Sequence, residues 1–156
     1  PLGVVPDWAI YGDGHWLPDS ESRAVGSYDA IRAYLWTGMM ADTDPLRDAL
    51  LDVQRGLRAR MAADGRLPER IDTRTGDATG SAPAAFTAAL LPWLYALGDA
   101  DALASQRARL AAMRSGELYG GTRNYYDQAL SLFGLGWLEG RFRFDPQGRL
   151  IPRWST

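Results

Sequence analysis

From Ala78 to Gly98 the chain carries no charged residue. A helix over this stretch spreads Phe86, Leu90, Leu91, Trp93, Leu94 and Leu97 around its circumference and keeps no polar face for water, so it has to lie inside something. Its length would also suit a membrane span. Gly80, Ser81, Pro83, Thr87 and Pro92 dilute the run, and amphipathic stretches flank it. The reading is therefore a helix buried in a soluble protein. Ser81 and Pro83 open it, while Pro92 is expected to bend it or to sit where a missing hydrogen bond is tolerated.

Four further helices are predicted. One runs from about Ser27 to about Met40, with Ser27 or a neighbour as its cap, Ile31, Leu35 and Met39 on one line and Tyr28, Arg32 and Trp36 on a second. Asp44-Pro45 starts the next. There Leu46, Leu50, Val53, Leu57 and Met61 repeat at helical spacing against a wet side of Arg47, Asp48, Gln54, Arg55 and Arg58. This predicts one unbroken surface helix that stops before Gly65, followed by a surface loop to Gly80 with room for short extended pieces. Residues 101–113 make an amphipathic helix with Leu103, Leu110 and Met113 inward. Residues 125–140 make the last, with Leu130, Phe133, Trp137 and Leu138 as its apolar positions and a short extended tail beyond. Residues 1–24 read as an irregular, turn-rich segment carrying Trp8, Tyr11 and Trp16, and no strong strand pair is expected. A buried or mixed helix is followed by a one-sided helix, twice. That rhythm predicts an all-α fold and suits alternating inner and outer helices of a two-layer ring, although a bundle or solenoid would give a similar pattern.

Composition removes several classes of function. Lys plus Arg number 17 against 19 Asp plus Glu, and the arginines are scattered through helices, so no nucleic-acid groove is expected. His15 is the only histidine and there is no cysteine, which leaves the common zinc sites without ligands. No EF-hand spacing appears, and no metal or other cofactor is expected. A Ser-His-Asp site would depend on His15 with no Gly-x-Ser-x-Gly elbow, and the isolated glycine pairs do not form a phosphate loop. The opening residues Pro1 to Val5 hold no basic n-region, so no signal peptide is expected in this numbering.

Two segments carry candidate chemistry. In Gly26-Ser27-Tyr28-Asp29-Ala30-Ile31-Arg32, Asp29 falls in a first helical turn and Arg32 lies three residues on, and both favour a charged carboxylate. A charged carboxylate beside a phenol suits the orientation and deprotonation of a water. From these residues alone, a plain helix-terminal acid paired to an arginine is the better reading. In Asn124-Tyr125-Tyr126-Asp127-Gln128, adjacent tyrosines cannot share a helix face, so one can face a cavity while the other enters the core. Asp127 would serve as a first-turn acid in almost any helix.

These two segments in this order, with Val5-Pro6-Asp7-Trp8, the continuation Ala33-Tyr34-Leu35-Trp36-Thr37-Gly38-Met39, Leu90-Leu91-Pro92 and the run from Leu132-Phe133-Gly134 to Phe144, resemble the endo-1,4-beta-glucanases of glycoside hydrolase family 8. The likeness is greatest to periplasmic members associated with bacterial cellulose synthesis. It implies part of an (α/α)6 toroid, with residues 1–156 as the C-terminal part of a single catalytic domain. It implies Asp29 as the catalytic base, with Tyr28 and Arg32 orienting the base and its water. Tyr125 and Tyr126 would line the cleft, with Asp7 and Trp8 in a loop near it. The implied reaction is inverting hydrolysis of a beta-1,4-glucosidic bond, without a cofactor, in a periplasmic or secreted setting.

The resemblance also implies an acid Glu in an N-terminal half. Glu21, Glu69, Glu117 and Glu139 do not lie in a segment resembling that motif. Five helices do not close a twelve-helix ring, so one side of the uncharged helix is expected to need cover. The expected partners are a beta-1,4-glucan and the N-terminal part of the same enzyme, as a separate or cleaved piece, or else a compensating oligomer. Two alternatives stay open: a glucan-binding or structural fragment without turnover, and a toroidal hydrolase acting on another polysaccharide, such as a chitosanase or xylanase.

Overall fold

A computed structural model describes residues 2–19, 24–61, 66–121 and 123–153. Residues 1–24, expected to be irregular, contain a hairpin in which β1 (Ala9–Gly12) pairs antiparallel with β2 (His15–Pro18). Asp13 and Gly14 join them with φ of 50° and 80°, the left-handed pair that a two-residue type I′ turn requires and that Asp-Gly accepts. Tyr11 and Trp16 face each other across this ladder at 5.1 Å. Further on, β3 (Val25–Gly26) pairs with β4 (Arg70–Asp72), which pairs with β5 (Ala78–Thr79). The described part of the expected loop is therefore tied to the segment just before the first helix. Gly65 and Glu21 lie outside the described residues.

Five α-helices are present among the described residues, as the all-α reading requires. They are α1 (Ala30–Met39), α2 (Arg47–Val53), α3 (Ala84–Ala96), α4 (Ala100–Ala112) and α5 (Tyr125–Leu138). Two small hairpins complete the chain: β6 (Arg114–Ser115) with β7 (Leu118–Tyr119), and β8 (Phe142–Phe144) with β9 (Leu150–Pro152). The expectation of no strand pairs is corrected by these short antiparallel ladders, each too brief to stand out from loop sequence. No helix among the described residues is long and apolar enough to cross a membrane.

The second helix is not one piece. It ends at Val53, and a 3-10 helix over Arg55–Arg60 continues the chain. At the break the Gln54 side chain turns inward and donates to Thr37 Oγ1 at 3.0 Å. Gly56 lies so close to the N-terminal segment that a Cβ there would meet the Leu2 carbonyl at 1.7 Å. The change of pitch moves the inward line. Leu51, Leu57 and Met61 are buried, whereas Leu46, Leu50 and Val53, expected inward, are exposed.

Helix α3 is the centre of the core. Every residue from Ala84 to Leu94 is buried, Pro92 included. The uncovered side expected for this helix is not found, because α1, α4 and α5 of the same chain enclose it. Two glycines let the flanking helices reach its backbone. A Cβ on Gly38 of α1 would lie 2.2 Å from Trp93 N, and one on Gly134 of α5 would lie 2.1 Å from Ala88 O. The contacts also set direction. Tyr28 meets Phe86 and Gly38 meets Trp93, while Asp127 meets Ala85 and Trp137 meets Tyr95. The three helices α1, α3 and α5 therefore run the same way, with their N-termini at one end.

Parallel neighbours need return elements. Between α3 and α4 the chain turns in a Schellman motif: Gly98 N–H donates to Tyr95 O at 3.0 Å and Asp99 N–H to Leu94 O at 3.1 Å, with Gly98 at φ 70°. Asp99 then caps α4 by accepting from Ala102 N–H at 3.0 Å, an arrangement worth about 1 kcal/mol. The buried side of α4 is Ala102, Gln106 and Leu110, with Leu103 and Met113 partly covered. On α5, Leu130 and Trp137 are buried as expected, but Phe133 is 41% exposed. Its ring turns to Trp36 at 5.5 Å instead of entering the core.

If backbone contact with α3 is what places α1, Gly38→Ala should lower unfolding free energy by about 2–3 kcal/mol, the scale of a forced overpacking. Gly12→Ala, with open space at its Cβ, should change it by less than about 0.5 kcal/mol. Urea unfolding of both variants checks this. A second expectation concerns alkaline pH. Tyr34 accepts from Val5 N–H at 2.9 Å and meets Trp93 edge-on at 5.3 Å, and burial pushes its phenol up to about 12. The folded value lies above the unfolded value of about 10. The associated stability is thus fully present below pH 10 and is lost as pH rises toward 12. Unfolding free energy measured across that window should fall, and the slope should be shallower in Tyr34→Phe.

Candidate active site

The end at which three helix N-termini meet also holds the residues singled out from sequence. Asp29 occupies the N-cap position of α1, yet it takes helical φ and ψ of -86° and -41° and its side chain caps nothing. The Ile31 and Arg32 N–H groups that an N-cap side chain would take donate instead to the Ser27 and Asp29 carbonyls at 3.1 and 3.3 Å, and the turn just before them is held by Asp7. The Oδ1 atom of Asp7 accepts from Ser27 N–H at 2.7 Å, Asp29 N–H at 3.0 Å and Ala30 N–H at 2.8 Å. Ser27, expected as a cap, instead donates its hydroxyl to the Glu69 carbonyl at 2.7 Å.

With its helix capped from elsewhere, the Asp29 carboxylate points outward. Its side chain is 38% exposed, and Oδ1 pairs with Nη2 of Arg32 one turn on. Tyr28 precedes it in the chain. The Tyr28 hydroxyl donates to Glu69 Oε1 at 3.1 Å, and its ring packs edge-on against Phe86 at 5.0 Å and against Tyr126 at 5.5 Å. Burial of the ring, then the hydrogen bond to Glu69, raise the Tyr28 phenol above its ordinary value. Tyr28 therefore keeps its proton at neutral pH.

The adjacent tyrosines at the start of α5 separate as their helical spacing requires. Asn124 caps that helix by accepting from Tyr126 N–H at 2.9 Å. Tyr126 turns toward α1, where its hydroxyl donates to the Tyr28 carbonyl at 2.5 Å, and burial raises its phenol well above the usual range. Tyr125 turns away and is 85% exposed. Asp127 is buried and accepts from Ala85 N–H at 2.9 Å, so this first-turn acid of α5 also caps α3.

The structure thus brings Asp7, Tyr28, Asp29, Arg32 and Tyr126 into one cluster. Trp8 follows Asp7 in the chain and is 61% exposed. Glu69 joins the cluster through Tyr28 and was not marked by any local pattern, since its partner is 41 residues away. Glu139 sits past the opposite end of α5, about 20 Å along a helix of this length. With Glu117 it borders a groove lined by Gln128, Leu132 and Leu135.

An outward carboxylate paired with an arginine, with the protonated Tyr126 phenol within electrostatic reach of both, suits a group that takes a proton from water. Comparison with known proteins places the chain as a whole. The model for glycosyl hydrolases family 8 matches residues 1–140. The chain belongs to glycosyl hydrolase family 8. It is 43% identical to an endoglucanase of Xanthomonas axonopodis pv. citri (strain 306), over 100% of this chain and 40% of that protein. It is 41% identical to an endoglucanase of Escherichia coli (strain K12), over 99% of this chain and again 40% of that protein. Among solved structures, the endo-1,4-D-glucanase from Vibrio fischeri ES114 superposes with a TM-score of 0.82 at 33% identity, covering 100% of this chain and 44% of that one. This family 8 chain therefore spans about two-fifths of the length of these relatives.

The two tyrosines should respond differently to substitution. Tyr126→Phe removes a hydrogen bond between two helices and should lower unfolding free energy by about 1 kcal/mol. Tyr125→Ala removes a ring that covers little and should stay within about 0.5 kcal/mol of the parent. Chemical denaturation of the pair tests this, and equal losses would refute the separation.

Proposed function

We propose that this chain supplies the catalytic base and part of the sugar-binding surface of an endo-acting beta-1,4-glucan hydrolase working with inversion. The observation that carries this reading is Asp29, a carboxylate at a helix N-terminus that is left uncommitted to its own helix and open to solvent beside Arg32. Asp29 takes a proton from a water whose oxygen attacks the anomeric carbon. The bond from that carbon to the bridging oxygen breaks, and an acid Glu delivers a proton to the departing sugar. A carboxyl separation of about 6.5–9.5 Å leaves room for the water in such a displacement. Arg32 fixes one carboxylate oxygen. Tyr28, protonated and held by Glu69, presents its hydroxyl oxygen beside the reacting water.

In this reading the acid Glu comes from an N-terminal part of the same enzyme, for which residues 1–156 form the C-terminal part of one toroidal domain. Tyr125 offers the exposed ring suited to stack on a glucose face, and Trp8 offers a second. Cellulose is the favoured substrate, since the relatives carry endoglucanase names. A polymeric substrate goes with a periplasmic or secreted location.

The test uses the chain joined to the N-terminal portion of a family 8 relative. Asp29→Asn should lower kcat on a soluble beta-1,4-glucan by about 10²–10⁴ while KM changes little. Proton NMR of freshly released ends should show the α-anomer first. The chain without that portion should bind glucan without turnover. Full turnover by the chain alone, or undiminished turnover by Asp29→Asn, would refute the reading, and preference for chitosan or xylan would move the substrate.

A further inference from the structure

We infer that Asp7 is a positioning residue that fixes where Asp29 sits by holding the backbone turn that carries it. The inference rests on the reading of Asp29 as the base. The amides that an aspartate at this N-cap would ordinarily take, those of Ile31 and Arg32, already donate to the Ser27 and Asp29 carbonyls at 3.1 and 3.3 Å, so the Asp29 carboxylate has no capping task. The backbone of the turn itself is held from another segment. One oxygen of Asp7 accepts from the amides of Ser27, Asp29 and Ala30, so the amides around the base are filled and the Asp29 side chain makes no capping bond.

Asp7 is itself held firmly. Its N–H donates to the Val25 carbonyl at 2.7 Å, and two residues earlier Val5 N–H donates to the Tyr34 hydroxyl at 2.9 Å. The Val5 carbonyl rests where a Cβ on Gly26 would be, 2.3 Å away. The segment carrying Asp7 is thus pinned to the strand that leads into Asp29 and to the buried face of α1. Without the Asp7 carboxylate, the amides of Ser27, Asp29 and Ala30 lose their shared acceptor. The turn that carries Asp29 then loosens, and its carboxylate shifts from Arg32 and the water position. This assigns Asp7 to the base turn, where the family resemblance implied a loop beside the cleft.

The experiment compares Asp7→Ala, Asp7→Asn and Asp29→Asn in the chain joined to the N-terminal portion of a family 8 relative, assayed on a soluble beta-1,4-glucan. Asp7→Ala should lower kcat by about 10- to 100-fold, the scale of a misplaced catalytic group, with KM within about twofold. Asp7→Asn keeps an oxygen acceptor and should recover most of that loss. A raised KM at unchanged kcat would overturn the inference in favour of direct sugar contact. An equal loss in Asn and Ala would overturn it as well, because retained acceptor geometry would then have no value. If Asp7→Ala fails to fold, the ratio of kcat between Asp7→Asn and parent, with KM, still decides: a KM effect alone contradicts the inference. Asp29→Asn separates the two levels. If it stays active the base assignment fails, whereas if it is inactive and Asp7→Ala keeps full kcat only the inference fails.

Discussion

The structure depends on the contact of two helix backbones with α3. Because Gly38 and Gly134 carry no side chain, α1 and α5 approach until their backbones touch that of α3 at Trp93 and Ala88. A helix without a polar face is thereby enclosed by its own chain, and burial of each large side chain along it contributes about 1.5–3 kcal/mol before conformational entropy is counted. The same contacts align the three helices in one direction. Their N-termini then converge, and a cluster drawn from three remote stretches of sequence becomes one surface.

Carboxylates divide the work at that surface by position. Asp7 and Asp127 each satisfy the opening amides of a helix to which they do not belong, as Asp99 does for the helix it precedes. Charge near the positive end of a helix is favourable, so these acids stabilise their helices by ordinary electrostatics. Asp29 has the same location and no such duty. The Ile31 and Arg32 amides it could cap already donate to backbone carbonyls, so its side chain is left to Arg32.

Apolar surface left exposed follows another pattern than the one expected. Helix α3 is closed within the chain, while Trp36, Phe133, Phe142 and Phe144 form an aromatic cluster between α1, α5 and the last hairpin, with Trp36 and Phe133 partly open to solvent. Leu46, Val53 and Leu132 are open as well. The chain spans about two-fifths of the length of its endoglucanase relatives.

Local chemistry was legible to the extent that it repeats or punctuates. The uncharged run from Ala78 to Gly98, the periodic apolar positions of α1, α4 and α5, and the Asp29 and Arg32 spacing determined the helical class and marked the Asp29–Arg32 pair, because helix formation and neighbour contacts over three or four positions are written in adjacent residues. The Asp13-Gly14 turn was written there too and passed as loop. What tertiary structure alone decided was which acid caps which helix, which tyrosine faces solvent, where the second helix breaks and that Glu69 holds Tyr28. Those outcomes depend on partners 17 to 98 residues apart, and separations of that size become contacts only once tertiary packing has set the elements side by side.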